Sequence, residues 1–248
     1  MRYIDINCDV GEGVENEEAI FPFISSCNIA CGGHAGDSET IRRIVKLAKR
    51  YNIAIGAHPS YPDKENFGRV SVKMTPDHFK QSMQEQLSQI YTIIREEDAV
   101  LHHIKPHGAL YNDLAKDASL AALFLETIEG CEENTILYVP YQSCLEQLAL
   151  QHQYKIKREA FADRSYNEDL SLVSRTVPKA LLIKEEEVFH QLSEMIIKEQ
   201  VHTIEGKTVK ITADTYCIHG DTPNVLQILT YLTTHLQKEN ISIIQYEL

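Results

Sequence analysis

The sequence predicts an α/β protein folded as a single parallel β/α barrel, and three observations predict it. Short β-leaning apolar segments alternate with longer ones whose apolar residues recur at three- and four-residue spacing. Most of the strand-like segments end in ionisable residues and glycine, as strand-to-helix turns that carry function do. No proline- or serine-rich linker and no repeat of fixed period divides the 248 residues, so one domain over 1–248 is expected. About seven strand–helix units in that length favour a closed or nearly closed barrel over an open sheet.

Taken in order, the first strand runs through Tyr3–Ile6 and ends in Asp9, Gly11 and Glu12. A second begins at Ser26, breaks at Gly32 and Gly33, presents His34 and Asp37, and opens a helix carrying Ile41, Ile44, Val45 and Ala48. The third, Ile53 to Ala57, delivers His58, and a loop then carries Phe67, Gly68 and Arg69. Thr75 caps the next helix, Pro76 occupies its first position, and Phe79, Met83, Leu87, Ile90 and Ile94 share one face. Ala99 to Ile104 is a fourth strand ending in Lys105, Pro106 and His107, with a helix through Leu120, Leu123 and Phe124 behind it.

The fifth strand, Thr135 to Val139, ends at Pro140 and Tyr141 with little chemistry. The sixth runs from about Tyr154 to Ala162 and brings Glu159, Asp163 and Arg164. After an irregular stretch through Arg175 and Pro178 come a charged helix from Lys184 to Lys198 and a hairpin signal at Glu205-Gly206. Thr215 to Ile218 gives a seventh strand delivering His219 and Asp221. Thr222 then reads as a cap and Pro223 as the start of a helix with Val225, Leu229, Leu232 and Leu236 on one face, before a closing strand from Ile241 to Tyr246.

A formal charge of −12 argues against a nucleic-acid or anionic-membrane surface and leaves small substrates and protein partners. No stretch approaches the ~18 apolar residues of a membrane span, and Met1 leads into a strand rather than a signal peptide, so cytoplasm is the expected location. Six cysteines, Cys8, Cys27, Cys31, Cys131, Cys144 and Cys217, lack Cys-x-x-Cys spacing and read as buried thiols.

In a parallel barrel the carboxyl ends of the strands meet at one rim. Asp9, Glu12, His34, Asp37, His58, Lys105, His107, Glu159, Asp163, Arg164, His219 and Asp221 are therefore expected together. Carboxylates beside histidines suit water activation, and lysine or arginine suits a substrate carboxylate, a phosphoryl group or an oxyanion, so hydrolysis of an amide- or ester-like bond fits best. Asp9, Asp37 and Asp221 can equally cap helices, and Arg164 can pair with Asp163 or Glu159 to hold its own loop. His102, His103, His152, His190, His202 and His235 lie within strands or helices and read as structural or solvated. A divalent metal is an alternative use of the strand-end histidines, although no local His-x-x-x-His pair supports it. No phosphate-binding glycine loop is present.

The blocks Asn7–Glu12, Asn28–Asp37, Gly56–Pro59, Phe67–Arg69, Lys105–Tyr111, Glu159–Arg164 and His219–Pro223 resemble, in order, those of the LamB/YcsF family. The resemblance spans nearly the whole chain. The family has a large apolar residue where Gly33 stands, a second arginine at Val70, and Val-Pro-Arg at Val173-Ser174-Arg175. It implies a seven-stranded β/α barrel similar to the glycoside hydrolase/deacetylase superfamily. It also implies ATP-coupled opening of 5-oxo-L-proline to L-glutamate with separate B and C subunits, the ATP bound by or shared with those partners. On that reading Asp9 or Asp163 is the general base, His58 or His107 the acid, and Lys105 or Arg164 holds negative charge. Glu12, His34, Asp37, Arg69, Glu159, Arg164, His219 and Asp221 would bind substrate. The alternatives are a metal-dependent deacetylase or amidohydrolase acting alone, and a non-catalytic carbohydrate- or metabolite-binding regulator.

Overall fold

A computed structural model describes residues 1–15, 17–130 and 134–246. Seven parallel strands close a barrel: β1 (Arg2–Val10), β2 (Ser26–Ala30), β3 (Ala54–His58), β4 (Leu101–Ile104), β5 (Ile136–Pro140), β6 (Ile156–Phe161) and β9 (Thr215–Cys217). They pair in that order, and β9 returns to β1 through Asp5–Asn7, so the sheet has no open seam there. The nine residues of β1 serve three partners: residues 2–4 pair with β10 (Ile241–Ile243), residues 5–7 with β9, and residues 7–10 with β2.

Helices α1 (Ser38–Tyr51), α2 (Pro76–Glu96), α3 (Gly108–Lys116), α4 (Ala118–Ile128), α5 (Cys144–Gln151), α6 (Glu185–Lys198) and α7 (Val225–Lys238) accompany the strands. The expected apolar faces are the buried ones, as with Ile41, Ile44, Val45 and Ala48 of α1 and Phe79, Met83, Leu87, Ile90 and Ile94 of α2. Thr75 caps α2 through the His78 amide, with Pro76 at its first turn. A two-stranded hairpin of β7 (Gln200–His202) and β8 (Thr208–Lys210) forms around Glu205-Gly206.

Five elements differ from the sequence reading. The helix after His107 is two helices, because Asp117 ends α3 and caps α4 through the amides of Ser119 and Leu120. A 3-10 helix (Glu17–Phe23) and α5 were not foreseen, each being too short to show a helical period. Thr222 does not cap α7: Asn224, in a left-handed conformation, precedes it, and the Thr222 hydroxyl bonds Asp163 instead. The closing strand stops at Ile243. Among the described residues no helix is long and apolar enough to cross a membrane. Cys8, Cys27, Cys31 and Cys217 are buried free thiols and Cys144 is partly buried, while Cys131 lies outside the described residues.

The side chains inside the barrel are polar where such interiors are usually branched and apolar. On β1 the alternate residues Asp5, Asn7 and Asp9 point inward, and Ile4, Ile6, Cys8 and Val10 join the apolar core. At the amino-terminal end Asp5 accepts hydrogen bonds from Ser26 (2.7 Å), Thr215 (3.1 Å), Lys157 (2.8 Å) and Tyr246 (2.6 Å). At mid-height Asn7 donates to Thr215 and accepts from Asn28, each at 2.8 Å. A floor of satisfied polar groups thus supports whatever stands on it.

The turn after β2 depends on backbone freedom at Gly36, where φ is +83° and a Cβ would sit 2.5 Å from the Ala30 carbonyl oxygen. Gly36→Ala is expected to cost about 2–4 kcal/mol, read from the urea midpoint. Gly13→Ala is the control: its φ of +80° is also positive, but nothing lies within 4 Å. That change should cost only about 1–2 kcal/mol.

Candidate active site

Lys105, at the end of β4, reaches across the barrel and is 2 % exposed. Its ammonium donates to Asp9 Oδ1 (2.8 Å), Asn7 Oδ1 (3.2 Å) and Cys217 Sγ (3.1 Å), and lies 3.0 Å from Glu159 Oε1. Burial alone would favour the neutral amine, but Asp9, Cys217 and Glu159 outweigh it and hold Lys105 well above the usual lysine range. For Asp9, likewise, burial opposes the charge, and His58 and Lys105 overcome it to keep the carboxyl well below its usual range.

Asp9 is also oriented from below. His103, sealed inside the barrel, bonds Asn28 Oδ1 at 2.7 Å, which turns the Asn28 amide so that Nδ2 donates to Asp9 Oδ1 at 2.8 Å. Burial first, then its neighbour His102, holds His103 neutral. Gly56 leaves the space for that ring, since a Cβ there would lie 2.1 Å from His103 Nε2. His103 and Asn28 escaped the sequence reading as site residues, although the inward period of two that places them was visible in Asp5-x-Asn7-x-Asp9 and Ser26-x-Asn28.

Above Asp9 stand three imidazoles. His58 Nδ1 donates to the Lys105 carbonyl (2.6 Å) and His107 Nε2 to the Phe67 carbonyl (3.0 Å). Those carbonyls fix the tautomers, so His58 Nε2 and His107 Nδ1 turn lone pairs toward each other at 2.9 Å. Asp9 Oδ2 is 3.4 Å from the first and Glu12 Oε1 is 3.4 Å from the second. Either a shared proton or a cation satisfies such a meeting of acceptors. Ligand atoms bound about 2.0–2.2 Å from one zinc-like ion are themselves spaced by about 3.0–3.5 Å; the donor atoms of Asp9, Glu12, His58 and His107 lie within 4.8 Å of one another, a set that a small divalent metal would draw slightly closer. His34 stacks on His107 at 3.6 Å and bonds Glu12 through Nε2 at 2.9 Å. Burial, then the His58 charge, drives His34 down to about 3, whereas burial and Asp9 push Glu12 well above the usual carboxyl range.

Across the mouth, the buried Asp163 receives the His219 Nδ1–H (3.0 Å), the His219 amide (2.9 Å) and the Thr222 hydroxyl. Burial opposes ionisation, but His219 and Thr222 keep Asp163 below its usual range. This corrects the expectation that Asp163 itself faces substrate: it stands behind His219, whose Nε2 is left for the cavity. Asp37 is a second correction. It is an exposed helix cap, accepting from the Thr40 amide at 2.8 Å, outside the cavity lining.

The cavity lined by Asp9, Glu12, His58, Lys105, His107 and His219 has a volume of about 490 Å³. Its rim carries arginines: Arg69 (2.5 Å) and Arg175 (3.1 Å) both pair with Asp221. Arg164 pairs with neither Asp163 nor Glu159, and bonds the Val173 (2.7 Å) and Ala180 (3.4 Å) carbonyls of its own loop. A guanidinium that is 7 % exposed and has no bonded carboxylate is a ready anion site facing the cavity. Of the family departures, Gly33 has a cause: a Cβ there would meet Ser60 and Gln86, which bond each other in that space. Val70 and Ser174 are exposed near the rim.

Fold and site together define a parallel β/α barrel whose ionisable groups converge on the carboxyl-terminal mouth. The chain belongs to the LamB/YcsF family, whose match covers residues 4–247. It is 38 % identical over 246 residues to the 5-oxoprolinase A subunit of Pyrococcus abyssi, covering 97 % of this chain and 96 % of that one. A protein of the same name from Thermococcus sibiricus is 39 % identical with the same coverage. The crystal structure of a lactam utilization protein from Thermus thermophilus superposes with a TM-score of 0.89 at 29 % identity, over 98 % of this chain and 100 % of that one.

Two outcomes are expected from this geometry. Lys105→Met leaves Asp9 and Glu159 buried without their cation and should cost about 3–5 kcal/mol at neutral pH. The cost should shrink on acidification, because Asp9 without its cation is a buried carboxyl that takes up a proton more readily, and urea titrations of both proteins at two pH values check this. His34 stays neutral when folded down to about 3, so the unfolded chain binds a proton there first as pH falls below about 6.5. Stability is therefore present above that value and is lost on acidification, by on the order of 1–2 kcal/mol from His34 by pH 5. His34→Phe should flatten that part of the pH–stability curve.

Proposed function

We propose that this chain is the hydrolytic A subunit of an ATP-dependent 5-oxoprolinase, opening 5-oxo-L-proline to L-glutamate together with B and C subunits. The observation that carries the reading is the match to chains of that name along almost their whole length. The site chemistry is in keeping with it. A five-membered lactam resists water, and phosphorylation of its oxygen converts it into an imidate-like electrophile. No phosphate-binding glycine loop occurs in this sequence, so ATP is assigned to the partners or to a surface shared with them.

In the proposed reaction the substrate carboxylate lies against Arg164, with Arg69 and Arg175 at the rim. His219 Nε2 takes the proton of the attacking water, and Asp163 holds its ring in the needed tautomer and balances the imidazolium. Asp9 is already tied to Asn28 and Lys105 and is a weak base; it keeps the ammonium of Lys105 aimed where negative charge develops on the attacked carbon's oxygens. The proton shared by His58 and His107 goes to the departing nitrogen as the C–N bond breaks; the phosphoryl group stays on the new carboxyl and leaves as inorganic phosphate when a second water hydrolyses that acyl phosphate to L-glutamate. The test is glutamate formation from 5-oxoproline and ATP with purified B and C chains. Asp9→Asn and His219→Gln are each expected to reduce turnover about 10²–10⁴-fold. Full activity in both would sink the assignment.

One observation favours a second reading. Asp9, Glu12, His58 and His107 present a donor set that fits a divalent metal, which when bound would lower the pKa of a coordinated water. Stoichiometric metal in the purified protein, with lactam or amide hydrolysis that needs neither ATP nor partners and is lost on chelation, would favour a metal-dependent hydrolase acting alone.

A further inference from the structure

Beside the main cavity lies a smaller one of about 230 Å³, walled by Tyr141, Tyr166, Leu170 and Ile211. Tyr111 and Phe161 line both, so the two are neighbours across those rings. The wall of the smaller cavity also includes Glu159, which is 2 % exposed. Neither Glu159 oxygen has a hydrogen-bond partner of normal geometry, and neither does the Tyr111 hydroxyl.

The reason lies in Lys105. An ammonium has three N–H donors, and those of Lys105 are directed to Asp9, Asn7 and Cys217. Glu159 Oε1 therefore receives the lysine's charge at 3.0 Å without one of its protons, and the adjacent Tyr111 hydroxyl approaches the carboxylate short of normal hydrogen-bond geometry. A buried carboxylate with no donor of normal hydrogen-bond geometry is costly unless a bound molecule supplies one. The donor it calls for is an N–H, neutral or cationic, on a small molecule with apolar faces.

We propose that Glu159, with Tyr111 beside it, is the subsite for the nitrogen of the substrate. It accepts the N–H of a lactam and, after ring opening, holds the ammonium of the amino-acid product. This rests on the lactam-opening reading above and adds to it the group that makes the site selective for a nitrogen bearing hydrogen. Two carboxylates, Asp9 and Glu159, share the single ammonium of Lys105, which leaves the product's positive charge a counter-charge to meet.

The experiment measures competition in the assembled, ATP-driven reaction between 5-oxo-L-proline and the γ-lactone that carries a ring oxygen in place of N–H. With wild-type protein the lactone should bind about 10- to 100-fold more weakly than the lactam. In Glu159→Gln that advantage should fall about 10-fold, with the change in KM for the lactam and little change in the lactone inhibition constant. Tyr111→Phe, which keeps the aromatic wall, should remove a smaller part and provides the test if Glu159→Gln fails to fold. Wild-type glutamate release with undiminished lactam preference in the variants would overturn the nitrogen subsite and leave the functional reading intact. If wild-type protein releases no glutamate, that reading fails. Calorimetry on the chain alone with L-glutamate against 2-hydroxyglutarate then decides the subsite: a Glu159-dependent preference for the amine supports it, and none overturns it.

Discussion

The interaction on which the rest of the molecule depends is the ammonium of Lys105 held inside the barrel between the Asp9 and Glu159 carboxylates. Each charge is deeply buried, and each alone would be expelled or neutralised. Together they oblige β1, β4 and β6, which no short segment of sequence connects, to keep their carboxyl ends in one register. The polar floor of Asp5, Ser26, Asn7, Asn28 and Thr215 completes the condition by joining these side chains in hydrogen bonds beneath the triad. Closure of β9 onto β1 then fixes Cys217 and His219 against the same point.

That arrangement separates two kinds of histidine. His103 and His219 are oriented by side chains, His103 by Asn28 and His102, and His219 by Asp163. His58 and His107 are instead pinned from outside by backbone carbonyls, which forces their remaining lone pairs into one small space with Asp9 and Glu12. Phe67, whose carbonyl holds His107, sits at a φ of +56°, an unfavourable backbone for an aromatic residue that the surrounding contacts must hold in place. The loop is clamped there by Gly68, whose amide bonds the Asp63 carbonyl and whose own carbonyl takes the Ala109 amide.

The rim is organised by the opposite logic. Asp221 neutralises two arginines that would otherwise repel, while Arg164, tied only to carbonyl oxygens, keeps its positive field for the cavity. An acidic chain thereby presents a locally cationic mouth. That is the electrostatic condition for a small anion to approach in spite of a net charge of −12.

What the sequence determined by itself was the alternation of elements, and with it the barrel and the side on which its chemistry gathers. Strand and helix periods are local properties, and glycine, proline and capping residues punctuate them within a few positions; hence the polar blocks ending in Glu12, His58, His107, Arg164 and Asp221 could be read as one rim. Only the tertiary structure decided which member of each block faces the cavity. Asp37 and Asp163 carry the same side chain as Asp9, yet one caps a helix in solvent and one stands behind an imidazole, because a carboxylate takes whichever donors the fold brings to it. His103, Asn28 and the unmet oxygens of Glu159 were hidden for the same reason. Their partners lie tens of residues away along the chain, and a hydrogen bond is a relation between positions in space that no single stretch of sequence contains.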